Sequence, residues 1–274
     1  MKKFFLIEYI LLRVLFIIVH TLPINITSKF GAIVFRLLGR LSKSHITAIQ
    51  NCHFVFPHLT NKEVRYIVLK SWENLGKTIF ELGILKKILN TNNLIQTEGL
   101  HNIKEILEKK TPTIFFGIHH SNWEIGLPIL DRIGMNVGGI YRHINNHLID
   151  RFVLSLRTDS LKTSKSFYTP KGKQSARDIL EAVKNNNSFL LLVDQKDSAG
   201  ENVFLFNKSV KTQTGFLKIA RKYNMPLVPM ENKRLKNGKF KITFHNPIFY
   251  NDSHTSDADM MHKIHNIIEK WILS

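Results

Sequence analysis

The first forty residues carry two apolar segments that predict two consecutive helices. Residues 4–19 read FFLIEYILLRVLFIIV, an apolar run interrupted only by Glu8 and Arg13. A helix over this run is roughly 24 Å long, whereas the hydrocarbon layer of a bilayer is ~30 Å thick. Each charge near the centre of a spanning helix costs about 2.5 to 3.5 kcal/mol. We therefore expect residues 1–22 to form a membrane anchor that spans the bilayer or lies in its interface; a buried globular helix is the alternative.

The second apolar segment, Phe30–Leu41, is too short to span a bilayer. Arg36 and Arg40 are four residues apart and so share one side of a helix. This pattern predicts an amphipathic helix whose basic side meets anionic lipid headgroups. Basic residues follow the first helix, and the positive-inside rule then predicts that the main body of the protein lies in the cytoplasm.

The remainder of the chain changes from a helical pattern to an alternating one. Residues 45–90 place Val64, Val68 and Leu75 on one helical face. From Thr111 onward, apolar β-branched runs alternate with helical stretches. The predicted strands are Thr113–Ile118, Val137–Tyr141, Ser188–Val193, Leu227–Met230 and Phe240–Phe244. The predicted helices are Asn122–Ile133, His147–Leu156, Ser175–Lys184, Gly215–Tyr223 and Asp257–Leu273.

This alternation predicts an α/β fold with a mainly parallel sheet flanked by helices, preceded by the N-terminal hydrophobic anchor helix. We expect residues 111–274 to form the α/β core. Residues 23–110 are expected to form a helical N-terminal region that packs on this core and is continuous with it as one catalytic domain.

Composition narrows the classes of function. The 274 residues include 39 Lys plus Arg against 21 Asp plus Glu, a formal charge of +18 that predicts an anionic partner such as nucleic acid, phospholipid or a phosphorylated substrate. The single cysteine, Cys52, excludes a disulfide framework and a Cys-rich zinc module. An apolar content of 43% argues against a disordered chain and against a protein with many membrane spans.

The candidate chemistry lies at one strand-to-helix junction, GIHHSNWEIG, residues 117–126. An apolar strand delivers His119 to its carboxyl end, where α/β sheets bind ligands. Glu124 follows in the first turn of the next helix, where its carboxylate can fix the imidazole tautomer and leave the other ring nitrogen as a base. The structural alternative is a capping box, in which Ser121 and Glu124 only stabilise the helix start. Zinc binding by His119 and His120 is disfavoured, because adjacent residues rarely share a tetrahedral site.

The motif Gly-x-His-x-x-Asn-Trp-Glu resembles the His-x4-Asp/Glu motif of the lysophospholipid-type acyltransferases, in the form used by the lipid A biosynthesis late acyltransferases. Further landmarks of that family appear in order along nearly the whole chain: Tyr141-Arg142, Asn146, Leu148, Asp150, Arg157, Asp194-Gln195, Leu205-Phe206-Asn207, Thr212 and Gly215. The chain departs from the pattern at His120, at Asn207 and in a YRHINNHLID block without prolines. A glutamate ends the dyad and no FPEGTR-type motif follows, which favours the lipid A branch over the glycerol-phosphate acyltransferases.

The resemblance implies a membrane-associated O-acyltransferase at the cytoplasmic face of a bacterial inner membrane. It would transfer a fatty acyl chain from an acyl carrier protein or coenzyme A thioester to a hydroxyl of a Kdo-bearing lipid A precursor. The implied partners are acyl carrier protein, the lipid A precursor and an anionic membrane surface, with no nucleic acid, cofactor or metal. The alternatives are a glycerophospholipid acyltransferase with the same dyad and, in another class, a basic membrane- or nucleic-acid-binding protein.

The resemblance also implies roles for seven residues. His119 is the general base and Glu124 orients it. Arg142 and Arg157 are expected to bind phosphates or Kdo carboxylates, although ordinary surface arginines are the structural alternative. The remaining three are expected to contact substrate: Asn122, Asp194 and Gln195. Asp194 ends a strand, where it orients a substrate hydroxyl or caps the next turn.

Overall fold

The structure, a computed structural model, describes residues 2–250 and 255–274, without the side chains of residues 2, 3 and 173–176. Its helices are α1 (Lys2–Thr21), α2 (Ile24–Leu38), α3 (Lys43–Val55), α4 (Asn61–Leu82), α5 (Leu85–Asn90), α6 (Lys104–Lys109), α7 (Gly126–Arg132), α8 (His147–Thr158), α9 (Lys173–Lys184), α10 (Gly215–Lys222) and α11 (Asp257–Leu273). Short 3-10 helices occupy Gly39–Leu41, Leu100–Ile103, Trp123–Ile125 and Lys236–Gly238.

The strands are β1 (Ile95–Glu98), β2 (Ile114–Gly117), β3 (Val137–Tyr141), β4 (Phe167–Pro170), β5 (Ser188–Leu192), β6 (Lys196–Leu205), β7 (Lys208–Thr212), β8 (Leu227–Arg234) and β9 (Phe240–Phe244). All five predicted strands are present, with ends that differ by at most a few residues. Four further strands were not predicted from the sequence, namely β1, β4, β6 and β7. These strands are polar or short, so their sequences lack the apolar runs on which the prediction rested.

The chain divides into two units. A helical unit contains the residues up to Leu94 together with Ile144–Asp159 and Leu235–Lys239, and a sheet unit contains the rest. The helical unit thus ends before the predicted boundary at residue 110. It also takes in α8, which the sequence analysis assigned to the α/β core.

The sheet unit is built on seven strands in the order β1-β9-β8-β2-β5-β3-β4. The pairs β8-β2, β2-β5, β5-β3 and β3-β4 are parallel, while β9 runs antiparallel to β8 and parallel to β1. The predicted fold class, a mainly parallel sheet flanked by helices, is therefore confirmed. Strands β6 and β7 form a separate antiparallel hairpin.

Apolar side chains of the sheet and of α11 build the core of the sheet unit. The central strands are buried on both faces, which explains why they read as continuous apolar runs rather than as alternating ones. One buried cluster joins strand residues to residues of α11, namely Phe116, Phe189, Leu227, Met260, Ile264 and Ile268, each at most 1% exposed. This core holds β2 and β5 firmly beside each other, and these two strands carry the candidate site.

Helices α2 and α4 cross closely in the helical unit because glycines meet at the crossing. A Cβ atom on Gly31 would lie 2.4 Å from the carbonyl oxygen of Gly76, and a Cβ on Gly76 would lie 2.1 Å from that of Gly31. Both distances are too short for any larger residue. The Thr60–Glu63 capping box fixes the start of α4.

Helix α1 is four residues longer than the predicted apolar run, and its 20 residues make it about 30 Å long. Within the described residues it is the one helix that is long and apolar enough to cross a membrane. The window Phe4–Thr21 has a mean hydropathy of 2.0, and 11% of it is buried. By length alone, α1 fits either kind of anchor that the sequence allowed.

Candidate active site

The site lies at the carboxyl ends of β2 and β5, which are parallel neighbours. Their register pairs Gly117 with Leu192, and the Val193 amide donates to the Gly117 carbonyl at 3.0 Å. Two residues beyond this pair lie His119, which follows β2, and Asp194, which follows β5. Because the carboxyl ends of parallel strands meet at one edge of the sheet, the register alone brings these two side chains together.

Asp194 holds His119 at two points. One carboxylate oxygen, Oδ1, lies 2.7 Å from Nδ1 of His119, and the other accepts the His119 backbone amide at 2.9 Å. The two side chains are 30% and 22% exposed. A carboxylate at Nδ1 favours the tautomer that carries its proton there, which leaves Nε2 with a free electron pair. The arrangement is that of a histidine base and its orienting carboxylate.

The second ring nitrogen of His119 faces a polar and partly open environment. The side-chain nitrogen of Gln195 lies 3.4 Å from Nε2, at the long end of hydrogen-bonding distance. The Trp123 ring packs edge-on against the imidazole, with ring centroids 5.1 Å apart. These contacts restrict the ring while leaving Nε2 accessible, and they place Gln195, one of the predicted site residues, beside Nε2 of His119.

Asn122, not Ser121, caps the helix that follows His119. Its side-chain oxygen accepts the Glu124 amide at 3.1 Å, and the chain then continues through Trp123–Ile125 into α7. Ser121 precedes the cap with a φ of 58°, a left-handed conformation that is rare for a residue other than glycine and that turns the chain sharply. The structural alternative with Ser121 at the N-cap is therefore wrong.

Asn122 and Glu124 are both buried at this helix start. Asn122 is 0% exposed and its carbonyl accepts the side-chain amide of Asn232, while Glu124 is 8% exposed. In this structure Asn122 positions the turn after the histidine. Its contact with substrate stays a prediction, as does the orientation of His119 by Glu124.

His120 points into a different environment from its neighbour. Its Nδ1 atom is buried without a hydrogen-bond partner among the described residues. Burial lowers the pKa of His120, although the nearby Glu231 carboxylate acts in the opposite direction. Glu231 itself pairs with Lys233 at 2.9 Å. Because its Nδ1 atom is buried without a partner among the described residues, whereas Nδ1 of His119 contacts Asp194, His120 is a poorer candidate for the base than His119.

Basic side chains follow the neighbouring strands at the same edge of the sheet. Arg142 follows β3 and is exposed, and Lys171 follows β4. The Lys171 amide donates to the Tyr141 carbonyl at 2.7 Å, and its ammonium group pairs with Asp197 at 3.0 Å. The Lys171 hydrogen bond holds the pKa of Asp197 below its ordinary value. Arg142, one of the predicted site residues, therefore lies at the same edge of the sheet as His119 and Asp194.

Arg157 is the one predicted site residue outside the sheet unit. It lies in the last turn of α8, in the helical unit, and is half-buried. Its contact with substrate stays a prediction. Within the described residues, no group of three or more His, Cys, Asp or Glu side chains is arranged to hold a metal ion.

The contact between His119 and Asp194 was not predicted from the sequence. From the sequence, Asp194 was expected to orient a substrate hydroxyl or to cap a turn, whereas in the structure its carboxylate contacts His119. The available signal was that both residues directly follow apolar strands. That signal becomes decisive only once the two strands are known to be neighbours.

Comparisons with known proteins agree with the resemblance. The family model of bacterial lipid A biosynthesis acyltransferases matches residues 2–274. The chain is 26% identical over 237 residues to the lipid A biosynthesis lauroyltransferase of Escherichia coli (strain K12), a match that covers 82% of this chain and 73% of that protein. A solved structure, the 1-acyl-sn-glycerophosphate acyltransferase of Thermotoga maritima, covers 89% of this chain and 96% of its own at 15% identity, with a TM-score of 0.42.

Proposed function

Because the chain belongs to the bacterial lipid A biosynthesis acyltransferase family and is an acyltransferase, we propose that it acylates a hydroxyl of a Kdo-bearing lipid A precursor. The proposed donor is an acyl carrier protein thioester. The Escherichia coli relative is a lauroyltransferase by name, which supports a fatty acyl chain as the transferred group. The alternative of a basic nucleic-acid-binding protein is set aside by the family membership.

The observation that carries the mechanism is the contact between His119 Nδ1 and Asp194 at 2.7 Å. With Nδ1 donating to the carboxylate, Nε2 accepts the proton of the acceptor hydroxyl as its oxygen attacks the thioester carbonyl carbon. The carbon–sulfur bond then breaks, and the thiolate leaves with the proton that the imidazolium returns. The products are an ester and a free thiol, and the chain's own groups are back in their starting state.

Two carboxylates have roles in this proposal. Asp194 orients the imidazole through the observed contact, and it also stabilises the imidazolium that forms during the reaction. Glu124 is retained as an orienting carboxylate because the family motif ends on it. Gln195 and Arg142 are proposed to bind the substrate, Gln195 from beside Nε2 and Arg142 from the exposed end of β3.

The proposed partners follow from the charge and from the exposed apolar surface. The formal charge of +18 suits a phosphorylated acceptor, an acidic carrier protein and an anionic membrane. Large apolar side chains of α1 and α2 are exposed, among them Phe4 at 70% and Ile33 at 58%. Exposed apolar groups of this kind are typical of a membrane-binding surface. We propose that the enzyme acts at the cytoplasmic face of the inner membrane.

The test is an acyl-transfer assay with purified protein, a Kdo-bearing lipid A precursor, and acyl carrier protein or coenzyme A thioesters, read by mass spectrometry of the lipid. His119→Ala is expected to lower the rate by about 10²- to 10⁴-fold, the usual contribution of a general base. His120→Ala serves as the neighbouring-residue control and is expected to retain far more activity. A folded His119→Ala enzyme with the wild-type rate would exclude His119 as the base.

The same assay tests the role of Glu124 and distinguishes between the two classes of acyl donor. Glu124→Gln is expected to lose most of its activity while keeping its helical signal. If a folded Glu124→Gln enzyme keeps the full rate, Glu124 has only a structural role. Faster transfer from coenzyme A than from acyl carrier protein would contradict the proposed donor, and transfer to a lysophospholipid in place of the lipid A precursor would contradict the proposed acceptor.

A further inference from the structure

The two charged residues that interrupt the apolar sequence of α1 make defined contacts with α8. The side-chain nitrogen of Asn146 donates to a Glu8 carboxylate oxygen and to the Phe5 carbonyl, each at 2.9 Å. The oxygen of the same amide caps α8 by accepting the Leu148 amide at 3.1 Å. Farther along α1, the Arg13 guanidinium lies 4.8 Å from the ring centroid of Phe152. Both charges therefore belong to the junction of α1 with α8.

The contacts continue along the whole length of α1. Phe16 packs edge-on against Phe152, with centroids 5.5 Å apart, and also fills the space above Gly83. Val19 is 0% exposed, and the Lys87 ammonium donates to the Leu22 carbonyl at 3.0 Å just beyond the helix. Helix α1 therefore contacts the rest of its unit from its first turns to its end. A helix that leaves the protein to cross a bilayer would lack such contacts over the length that lies in lipid.

The opposite side of α1 carries large apolar side chains that are at least half exposed. At 100° per residue they fall on one arc of about 160°: Phe4, Leu6, Ile7, Ile10, Leu11, Val14, Ile17 and Ile18. The packed residues fall on the other side: Phe5, Tyr9, Leu12, Phe16 and Val19. Helix α2 of the same unit carries a second exposed apolar stripe at helical spacing, formed by Ile26, Phe30, Ile33 and Leu37.

From these contacts we infer that α1 does not span the membrane but lies in the plane of one leaflet, with its exposed arc in the lipid and its packed side on α8. Helix α8 carries Asp150, Arg151 and Arg157, so α8 cannot accompany α1 across the hydrocarbon without dehydrating those charges. A spanning α1 would have to break the Asn146 and Phe152 contacts and leave Glu8 and Arg13 unpaired in lipid. The exposed basic residues near α2, Lys29, Arg40 and Lys43, fit the anionic headgroups at the same surface.

This inference rests on the membrane association in the proposed function, and a topology experiment separates the two. Two single-cysteine variants are made in a Cys52→Ala background, Lys2→Cys before the apolar run and Ser198→Cys on the exposed face of β6. Intact spheroplasts and then lysed membranes are treated with a membrane-impermeant maleimide. For α1 in one leaflet, both cysteines are protected in intact spheroplasts and labelled after lysis.

Two other results would overturn the inference. Labelling of Lys2→Cys but not Ser198→Cys in intact spheroplasts shows that α1 spans, which overturns the inference while leaving membrane association intact. Recovery of both variants in the soluble fraction overturns membrane association itself, and the inference with it. Activity in the acyl-transfer assay identifies folded variants before labelling.

A pair of surface variants tests which side of α1 meets lipid. Ile7→Lys changes a residue of the exposed arc that is 54% exposed, and Phe204→Lys changes a residue of the β6–β7 hairpin that is 57% exposed. Binding to anionic vesicles, measured by sedimentation, is expected to fall about tenfold or more for Ile7→Lys and to stay within about twofold for Phe204→Lys. Equal losses for the two variants would contradict the proposed lipid-facing arc.

Discussion

The strands β2, β5 and β9 of the sheet unit bury their phenylalanines, whereas the first two helices of the helical unit expose many large apolar side chains. Phe115, Phe116, Phe189, Phe240 and Phe244 are each at most 1% exposed. The exposed large apolar residues between Phe4 and Leu41 are 44% to 84% exposed. The residue types are the same in both regions. The difference is that the sheet has helices packed against it, whereas α1 and α2 are packed against protein on one side only.

The two units also use their carboxylates differently. Asp194 contacts the ring and the backbone amide of His119, and a carboxylate in this position favours the tautomer that carries its proton on Nδ1. Glu8 accepts from Asn146 and so fixes the start of α1 on α8, with no reactive group involved. One carboxylate thus contacts the proposed base, while the other accepts a hydrogen bond from the side chain that caps α8.

The largest expected difference between the two units appears when Asp194 and Glu8 are each replaced by the isosteric amide. Asp194→Asn is expected to lower kcat of the acyl-transfer reaction by about 10²- to 10⁴-fold with little change in KM, because the amide no longer favours the reactive tautomer. Glu8→Gln keeps an oxygen that accepts from Asn146, so its rate is expected to stay within about twofold of wild type. Equal losses for the two variants would remove the distinction between the carboxylates.

The next largest effect is on stability, which is compared for the replacement of a buried and an exposed phenylalanine. Phe116→Ala removes a side chain that is 0% exposed and is expected to cost about 3 to 5 kcal/mol of unfolding free energy. This corresponds to a decrease in Tm of roughly 10 °C. Phe4→Ala, at 70% exposure, is expected to shift Tm by about 1 °C or less but to weaken vesicle binding. Thermal unfolding in detergent micelles and vesicle sedimentation measure the two effects, and a large Tm decrease for Phe4→Ala would show that Phe4 belongs to a core.

The smallest expected effect is the pH dependence of the sheet unit. Burial lowers the pKa of His265, although its hydrogen bond to the Phe204 carbonyl at 2.7 Å and the charge of Glu269 act in the opposite direction. The unfolded chain therefore binds a proton that the folded chain does not. The stability contributed by the neutral ring is present above about pH 6.5 and is lost as the pH falls, by at most about 1.4 kcal/mol per pH unit.

Thermal unfolding at pH 7 and pH 5.5 measures this dependence. The wild type is expected to lose a few degrees of Tm between the two pH values, roughly 2 to 4 °C per kcal/mol, and His265→Gln is expected to lose less. An unchanged pH dependence in His265→Gln would assign the loss to other groups, among which His120, whose pKa is also lowered by burial, is the first to examine.

Much of the fold was predictable because its signals are local. The apolar runs of β2, β3, β5, β8 and β9 identify buried strands, and α11 was predicted with its observed ends. The hairpin of β6 and β7 was missed because its burial pattern is mostly exposed and Gly200 interrupts it. Its position is fixed by α11 instead, where His265 and Glu269 bind the Phe204 carbonyl and the Phe206 amide.

By itself, the sequence determined the family, the predominance of parallel strands, the apolar first helix and the histidine at a strand end. These follow from periodicity and from motifs that lie within a few residues. Only the tertiary structure decided that Asp194 binds His119 across 75 positions, and that Asn146 binds Glu8 across 138. The physical reason is that the packing energy of a whole unit decides which strands and helices become neighbours. That energy depends on all the segments of the unit together, so no single segment of the sequence reveals it.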